Sequence, residues 1–288
     1  MFVADKWTDY KVLDTGGGMK LERWGETLLA RPDPQVIWQK QRPELWGEAH
    51  ATYERSGSGG GKWRYHKKVP ERWTVRYREL SFYVRPTGFK HTGLFPEQAA
   101  NWDFMMEKIR AAQRNIRVLN LFAYTGGATL ACAVAGASVV HIDAAKSMNG
   151  WAKENLALSG LAERPVRILA DDCMKFVKRE QRRGNRYDAV IMDPPSYGRG
   201  ADGNVFRTED NIFELVSQTV ELLSDEPLFF VINSYTTGLS SVVTENILRL
   251  CLHSRGRGDG KYEAGDLVLP IEGQDVWLPC GTTTRWYR

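Results

Sequence analysis

The chain has 288 residues, 42% hydrophobic and 26% charged, which supports a sizeable core in one large domain or in a domain of about 180 residues with a smaller companion. Four cysteines, none in a Cys-x-x-Cys pair and none beside a His cluster, argue against a metal site or a disulfide framework and fit a reducing cytoplasm. The polar first ten residues exclude a signal peptide, and no run approaches the ~20 apolar residues that span a bilayer, so a cytoplasmic protein with no membrane contact is expected.

Residues 1–90 hold six of the ten tryptophans, Trp7, Trp24, Trp38, Trp46, Trp63 and Trp73, with glycine runs at 16–18 and 59–61 and little helical periodicity. Alternating runs such as 73–78 place aromatic or aliphatic side chains on one face and basic ones on the other. A small β-rich subdomain is expected over 1–90, with 56–61 as a flexible loop, and a second domain over 91–288. The net charge of +4 permits an anionic partner without demanding one. Residues 1–100 carry 17 Lys/Arg against 12 Asp/Glu, and the remainder 22 against 23, so an anion-binding surface would use the N-terminal third. Residues 62–90 hold nine Lys/Arg and two acids, interleaved with Trp63, Tyr65, Trp73, Tyr77, Phe82, Tyr83 and Phe89. Basic groups that meet phosphates and aromatics that stack on bases would suit RNA. The same alternation also suits a half-buried antiparallel strand.

From residue 101 the grammar changes. A helix over 101–113, with Trp102, Met105, Met106 and Ile109 at helical spacing, precedes a strand over 117–122. Helices at 128–135, 147–158, 172–183 and 210–223 then alternate with strands at 138–142, 164–169, 187–192 and 228–232. A helix at 241–252 is followed by two strands, 262–271 and 276–285, with no helix between them and therefore antiparallel. This alternation predicts an α/β, Rossmann-like fold: a mostly parallel seven-stranded sheet ending in an antiparallel hairpin.

Ligands of open α/β sheets bind outside the carboxyl ends of the strands. After the first strand comes Phe122-Ala123-Tyr124-Thr125-Gly126-Gly127, whose glycines allow close backbone approach to a ligand or, equally, close strand–helix packing. The Gly-x-Gly-x-x-Gly pyrophosphate fingerprint is absent. Asp143, after the second strand, lies 17 residues beyond Gly126, where a carboxylate can take the hydroxyls of a ribose or simply begin the next helix. Asp172 and the Cys173 backbone, after the third, could receive an adenine, although Asp171 or Asp172 could equally be an N-cap. After the fourth comes Asp193-Pro194-Pro195-Ser196-Tyr197-Gly198. Two prolines forbid helix and hold Asp193 rigidly at the sheet edge, and Tyr197 offers a face for a planar base. Asn233-Ser234-Tyr235-Thr236 follows the fifth strand and could line a pocket.

Together these motifs resemble the ribosomal-RNA large-subunit methyltransferase family, a class I S-adenosylmethionine-dependent group that includes 5-methylcytosine and guanine-N7 enzymes. The segment from His91 to Asn101 is similar to the family's stretch before the first strand, and Leu278-Pro279-Cys280-Gly281 and Arg285-Trp286 resemble its final hairpin, so the resemblance covers about residues 85–288. It implies S-adenosylmethionine as cofactor, with the methionine part at Phe122, Tyr124, Thr125, Gly126 and Gly127, the ribose at Asp143 with Ala144 beside it, the adenine at Asp172 and Cys173, and Gln98 contributing from the preceding segment. Asp193, Pro194, Pro195 and Tyr197 would form the catalytic edge, with Asp193 also beside the cofactor.

The chain departs from the family where Glu97 replaces Asp and Ala99 replaces Arg. Cytosine-5 methylation needs a thiolate to attack ring carbon 6. The family places it after the fourth or fifth strand, where this chain has Ser196-Tyr197 and Asn233-Ser234. Methyl transfer to a nitrogen of a flipped-out RNA base is therefore expected. A small-molecule or protein acceptor, or a non-catalytic cofactor-binding protein, are the alternatives, and a monomer or a homodimer is compatible with the sequence.

Overall fold

The computed structural model describes residues 1–57, 60–199 and 205–288; Ser58 and Gly59 of the glycine-rich segment 56–61 lie outside the described residues. Two compact units are present, one of residues 2–100 and 268–280, the other of residues 101–267 and 281–288 together with Met1.

The first unit is built from antiparallel pairing. After β1 (Phe2–Val3), the strands β2 (Tyr10–Gly16), β3 (Met19–Trp24), β4 (Thr27–Pro32), β5 (Ala51–Arg55) and β6 (Gly61–Tyr65) form a five-stranded sheet in chain order, with β4 and β5 parallel and the other pairs antiparallel. A separate hairpin joins β7 (Trp73–Tyr77) to β8 (Leu80–Val84). Its core is aromatic: Tyr10 and Trp24 meet edge-to-face at 4.6 Å between centroids, and Trp7 lies 4.8 Å from Tyr77. The tip of the terminal hairpin belongs to this unit, because Ile271 bridges Val12 and the Glu272 N–H donates to the Val12 carbonyl at 2.9 Å.

The second unit carries α1 (Ala99–Ala111) from residue 101 on, β9 (Arg117–Leu121), α2 (Gly127–Val134), β10 (Ser138–Asp143), α3 (Lys146–Leu158), β11 (Val166–Ala170), α4 (Cys173–Arg182), β12 (Ala189–Met192), β13 (Tyr197–Arg199), β14 (Val205–Arg207), α5 (Thr208–Val220), β15 (Phe229–Ser234), α6 (Ser241–His253), and β16 (Lys261–Pro270) and β17 (Trp277–Tyr287) outside residues 268–280. The main sheet runs β1-β16-β17-β15-β12-β9-β10-β11. Strands β9 to β12 and β15 are parallel, and β17 runs antiparallel to β15. The expected parallel sheet with its closing hairpin is thus present, and the short β1 adds an eighth strand at the edge. Leu119, Leu121, Val190, Met192, Phe230 and Ile232 are buried, as the largely apolar strands of a sheet covered by helices on both faces must be.

Strand β9 pairs with β10 on one side and β12 on the other, so strand order reverses at β9. That reversal opens a crevice at the carboxyl ends of β9 and β12. The small β13–β14 hairpin, in register Tyr197↔Arg207, was not legible in the sequence. Among the described residues no helix is long and apolar enough to cross a membrane.

Candidate active site

The loop after β9 is strained. Phe122, Tyr124 and Gly126 have φ of 56°, 49° and 90°, and a left-handed backbone is costly for any residue with a Cβ. Such strain persists only where the surroundings enforce it, and it marks this loop as a candidate binding segment. Both glycines are also sterically required. A Cβ on Gly126 would lie 3.1 Å from the Ala152 Cβ, and one on Gly127 would lie 2.7 Å from Trp102 Cζ2. Glycine packing and glycine backbone freedom are therefore both in use here. With glycine at the N-cap of α2, no side chain covers the first-turn N–H groups, which suits a carboxylate. Thr125 is buried, and its carbonyl accepts from Asn155 Nδ2 at 2.9 Å.

Asp143 closes β10. Its carboxylate accepts the Tyr124 N–H at 2.9 Å and the Ala145 N–H at 2.8 Å, so one side chain joins the strained loop to the start of α3. Burial raises its pKa, and these two backbone donors oppose that shift. Ala144, between them, is exposed. Asp172 is the N-cap of α4, accepting the Lys175 N–H at 2.8 Å. Asp171 accepts the Asp172 N–H at 2.9 Å and pairs with Arg179. Cys173 is buried beneath the loop, beside the Phe122 N–H, and burial drives its thiol pKa well up.

Asp193 follows β12, and its N–H reaches the Leu121 carbonyl at 3.4 Å. Pro194 is buried, whereas Pro195 and Ser196 are exposed. The Pro195 carbonyl accepts from Thr208 Oγ1 at 2.9 Å, and Ser196 Oγ accepts from Thr236 Oγ1 at 3.1 Å, which ties this turn to α5 and to the segment after β15. Tyr197 is 51% exposed, its ring accessible to a planar ligand.

Asn233 is differently employed. Its side-chain carbonyl accepts from Asn101 Nδ2 at 2.9 Å, while Asn101 Oδ1 accepts from Arg285 Nε at 2.9 Å and from Thr283 Oγ1 at 3.4 Å. This buried network fastens α1 to β15 and β17. Burial lowers the Arg285 pKa to about 10, and its guanidinium lies 4.7 Å from the Phe104 ring. Nothing in the local sequence of Asn101 or Arg285 announced the network, because its partners are 132 to 184 residues apart.

Burial raises the thiol pKa of Cys132, Cys173, Cys251 and Cys280 above the ordinary cysteine range. Gln98 lies in the other unit, buried on the turn Pro96–Gln98.

In the β-rich unit the aromatics of 62–90 divide. Tyr77 and Phe82 are core, and Trp73 donates to the Trp24 carbonyl at 2.9 Å, as expected of a half-buried strand. Tyr65 and Phe89 are 57% and 66% exposed, and Arg72 stacks 4.3 Å from the Tyr83 ring. Lys62, Arg64, Lys67, Lys68, Arg76 and Arg78 are exposed with them.

Residues 55–267 match the model of a family described as S-adenosylmethionine-dependent methyltransferase. The chain is similar to a crystal structure titled as the SAM-dependent methyltransferase of Agrobacterium tumefaciens, 35% identical, with a TM-score of 0.92 over 99% of this chain and 93% of that one. A Streptococcus mutans structure described as a SAM-dependent methyltransferase, 20% identical, shares the fold at a TM-score of 0.72 over 97% of this chain and 76% of that one. Ribosomal RNA large subunit methyltransferase K/L of Shewanella baltica is 35% identical over 146 residues, which is 50% of this chain and 18% of that protein. The Marinobacter nauticus protein of the same name is 28% identical over 223 residues, 74% of this chain and 28% of that protein. The chain thus spans less than a third of the length of these curated relatives.

Proposed function

The chain belongs to the S-adenosylmethionine-dependent methyltransferase family, and from that premise we propose that it methylates a base of ribosomal RNA, at a nitrogen rather than at cytosine C5. The observation that carries the choice of atom is the placement of the cysteines: none stands in the turn after β12, which holds Ser196-Tyr197, or at the end of β15, which holds Asn233-Ser234, and Cys132, Cys173 and Cys251 are buried, so cytosine C6 would meet no thiolate. The RNA substrate is supported by the names of the Shewanella and Marinobacter relatives and by the exposed basic and aromatic side chains of the β-rich unit.

The residues at the strand ends fit the cofactor: a glycine-capped helix N-terminus for its carboxylate, and a strand-end carboxylate for its ribose. When bound, S-adenosylmethionine supplies an electrophilic methyl group on a sulfonium. Phe122, Tyr124, Thr125, Gly126 and Gly127 would hold its methionine part. Asp143, with Ala144, would hold the ribose, and Asp172 and the Cys173 backbone the adenine.

Asp193 accepts a hydrogen bond from an exocyclic amine or ring N–H of the base, which fixes the acceptor nitrogen, stabilises the positive charge that develops on it and receives the proton it loses on methylation. Pro194 and Pro195 deny the turn alternative conformations, and Tyr197 stacks on the extruded base. Tyr65, Tyr83 and Phe89 offer stacking surfaces, and Lys62, Lys67 and Lys68 offer phosphate contacts, for flanking unpaired RNA in the cytoplasm.

The test is methyl transfer from radiolabelled S-adenosylmethionine to total RNA of a deletion strain, followed by nucleoside analysis. Label in one N-methylated nucleoside, lost with Asp193→Ala, supports the assignment. Label in 5-methylcytidine overturns the choice of atom. No label in RNA, with cofactor binding intact, moves the acceptor to a protein or a small molecule.

A further inference from the structure

Two polar side chains interrupt the apolar strands under the loop. Asn120 on β9 and His141 on β10 are 2% and 0% exposed, and both belong to one line of hydrogen bonds. Asn120 Nδ2 lies 2.9 Å from Thr129 Oγ1, and Thr129 Oγ1 lies 2.9 Å from His141 Nδ1. His141 Nε2 lies 3.1 Å from Asn149 Oδ1, and Asn149 Nδ2 lies 3.0 Å from the Asp143 carbonyl. Thr129 and Asn149 are buried as well.

The end of the line fixes the sense of every bond. The Asp143 carbonyl can only accept, so Asn149 presents Nδ2 to it and Oδ1 to the imidazole. His141 therefore carries its proton on Nε2, and its bare Nδ1 accepts the Thr129 hydroxyl proton. The Thr129 oxygen is then left to accept from Asn120. Each link is used once in its only permitted direction, which is how a buried polar chain avoids an unmatched group.

The links come from four elements. Thr129 is in the first turn of α2, two residues after Gly127, and Asn149 is in the first turn of α3. Asp143 already joins the same two segments through Tyr124 and Ala145. The line is thus a second, internal connection between the loop and the strand end.

We propose that Thr129, His141 and Asn149 are positioning residues for Asp143, holding its carboxylate in register with the 122–127 loop so that it can take the ribose hydroxyls of the cofactor. This rests on the assignment of Asp143 to the ribose, and the test separates the two. The full chain is titrated with S-adenosylhomocysteine and with its 2′,3′-dideoxy analogue.

The expected wild-type preference for the hydroxylated ligand is at least about ten-fold, the size of one charge-assisted hydrogen bond. Asp143→Ala should abolish it. Thr129→Val, which keeps the side-chain shape and breaks the line, should lower affinity for S-adenosylhomocysteine several-fold, leave affinity for the analogue unchanged, and so shrink the preference. Thr129→Ser should restore it, and Asn149→Leu should repeat the loss if Thr129→Val folds poorly. Equal loss for both ligands, or an unchanged preference in Thr129→Val and Asn149→Leu, overturns the positioning role while Asp143 stands. A wild type without preference, matched by Asp143→Ala, overturns both.

Discussion

Two buried polar clusters, one in each unit, are built in opposite ways. In the methyltransferase unit the interior line from Asn120 to Asp143 is neutral and directional. In the β-rich unit the interior is ionic. Glu22, fully buried, accepts from Arg31 Nε at 2.5 Å, from Arg31 Nη2 at 2.7 Å and from the Tyr10 hydroxyl at 2.7 Å, and Lys20 bridges toward Asp33 at 3.2 Å. The Arg31 and Lys20 charges hold the Glu22 carboxyl down at about 2 against the opposing effect of burial. A neutral chain fixes geometry through bond direction. An ion cluster has little net stability over an apolar core but is costly to break, because the survivor is left charged and buried. The unit that must place a cofactor uses the first device, and the unit to which we assign RNA contact uses the second.

The largest effect separates chemistry from stability. Asp193→Ala should lower the methyl-transfer rate on RNA by about 10³ or more while S-adenosylhomocysteine affinity and urea stability change little, in keeping with loss of a group acting on the developing charge. Equal loss of rate and cofactor affinity would place Asp193 in cofactor binding alone. Next, Arg31→Met should destabilise the β-rich unit by ~3–5 kcal/mol in urea unfolding followed by tryptophan fluorescence, and Glu22→Met on top of it should recover most of that loss. If the single variant is as stable as the wild type, the ionic interior has been misread.

Acid should affect the two units in different windows. Burial lowers the His141 pKa from 6.5 to about 4, so the folded state prefers the neutral ring. Its contribution is complete above about pH 6.5 and is lost as pH falls toward 4, about 3 kcal/mol in all. Glu22 behaves as a depressed carboxylate, so its contribution is present above about 4.5 and lost only as pH falls toward 2. Cofactor affinity should therefore fail at higher pH than the tryptophan signal of the β-rich unit, and simultaneous failure would contradict the contrast. His91 is also lowered, to about 4, by burial and by Arg31, but its partial exposure makes it the smaller contributor. The smallest effect concerns RNA: Lys67→Ala and Lys68→Ala should each weaken RNA binding by about 1 kcal/mol and reduce the salt slope by about one, with cofactor affinity unchanged.

The sequence by itself determined the α/β order and the strand-end positions of the motifs. Apolar runs such as 189–192 and 229–232 and their helical neighbours are local patterns with fixed periods, and motifs at strand ends must gather at one edge of a parallel sheet. The Asp172 cap was legible for the same reason, since a cap bonds within its own first turn. Only the tertiary structure decided the rest. Which of Tyr65, Trp73, Tyr77 and Phe89 remain accessible depends on what packs against each strand face. The left-handed φ of Phe122 and Tyr124 is imposed by partners such as Asp143 and Cys173, and nothing in either residue favours it. The line through His141 and the network joining Asn101, Asn233 and Arg285 link residues from separate elements. A polar side chain in an apolar strand announces only that it needs a partner, and the fold decides which partner it meets.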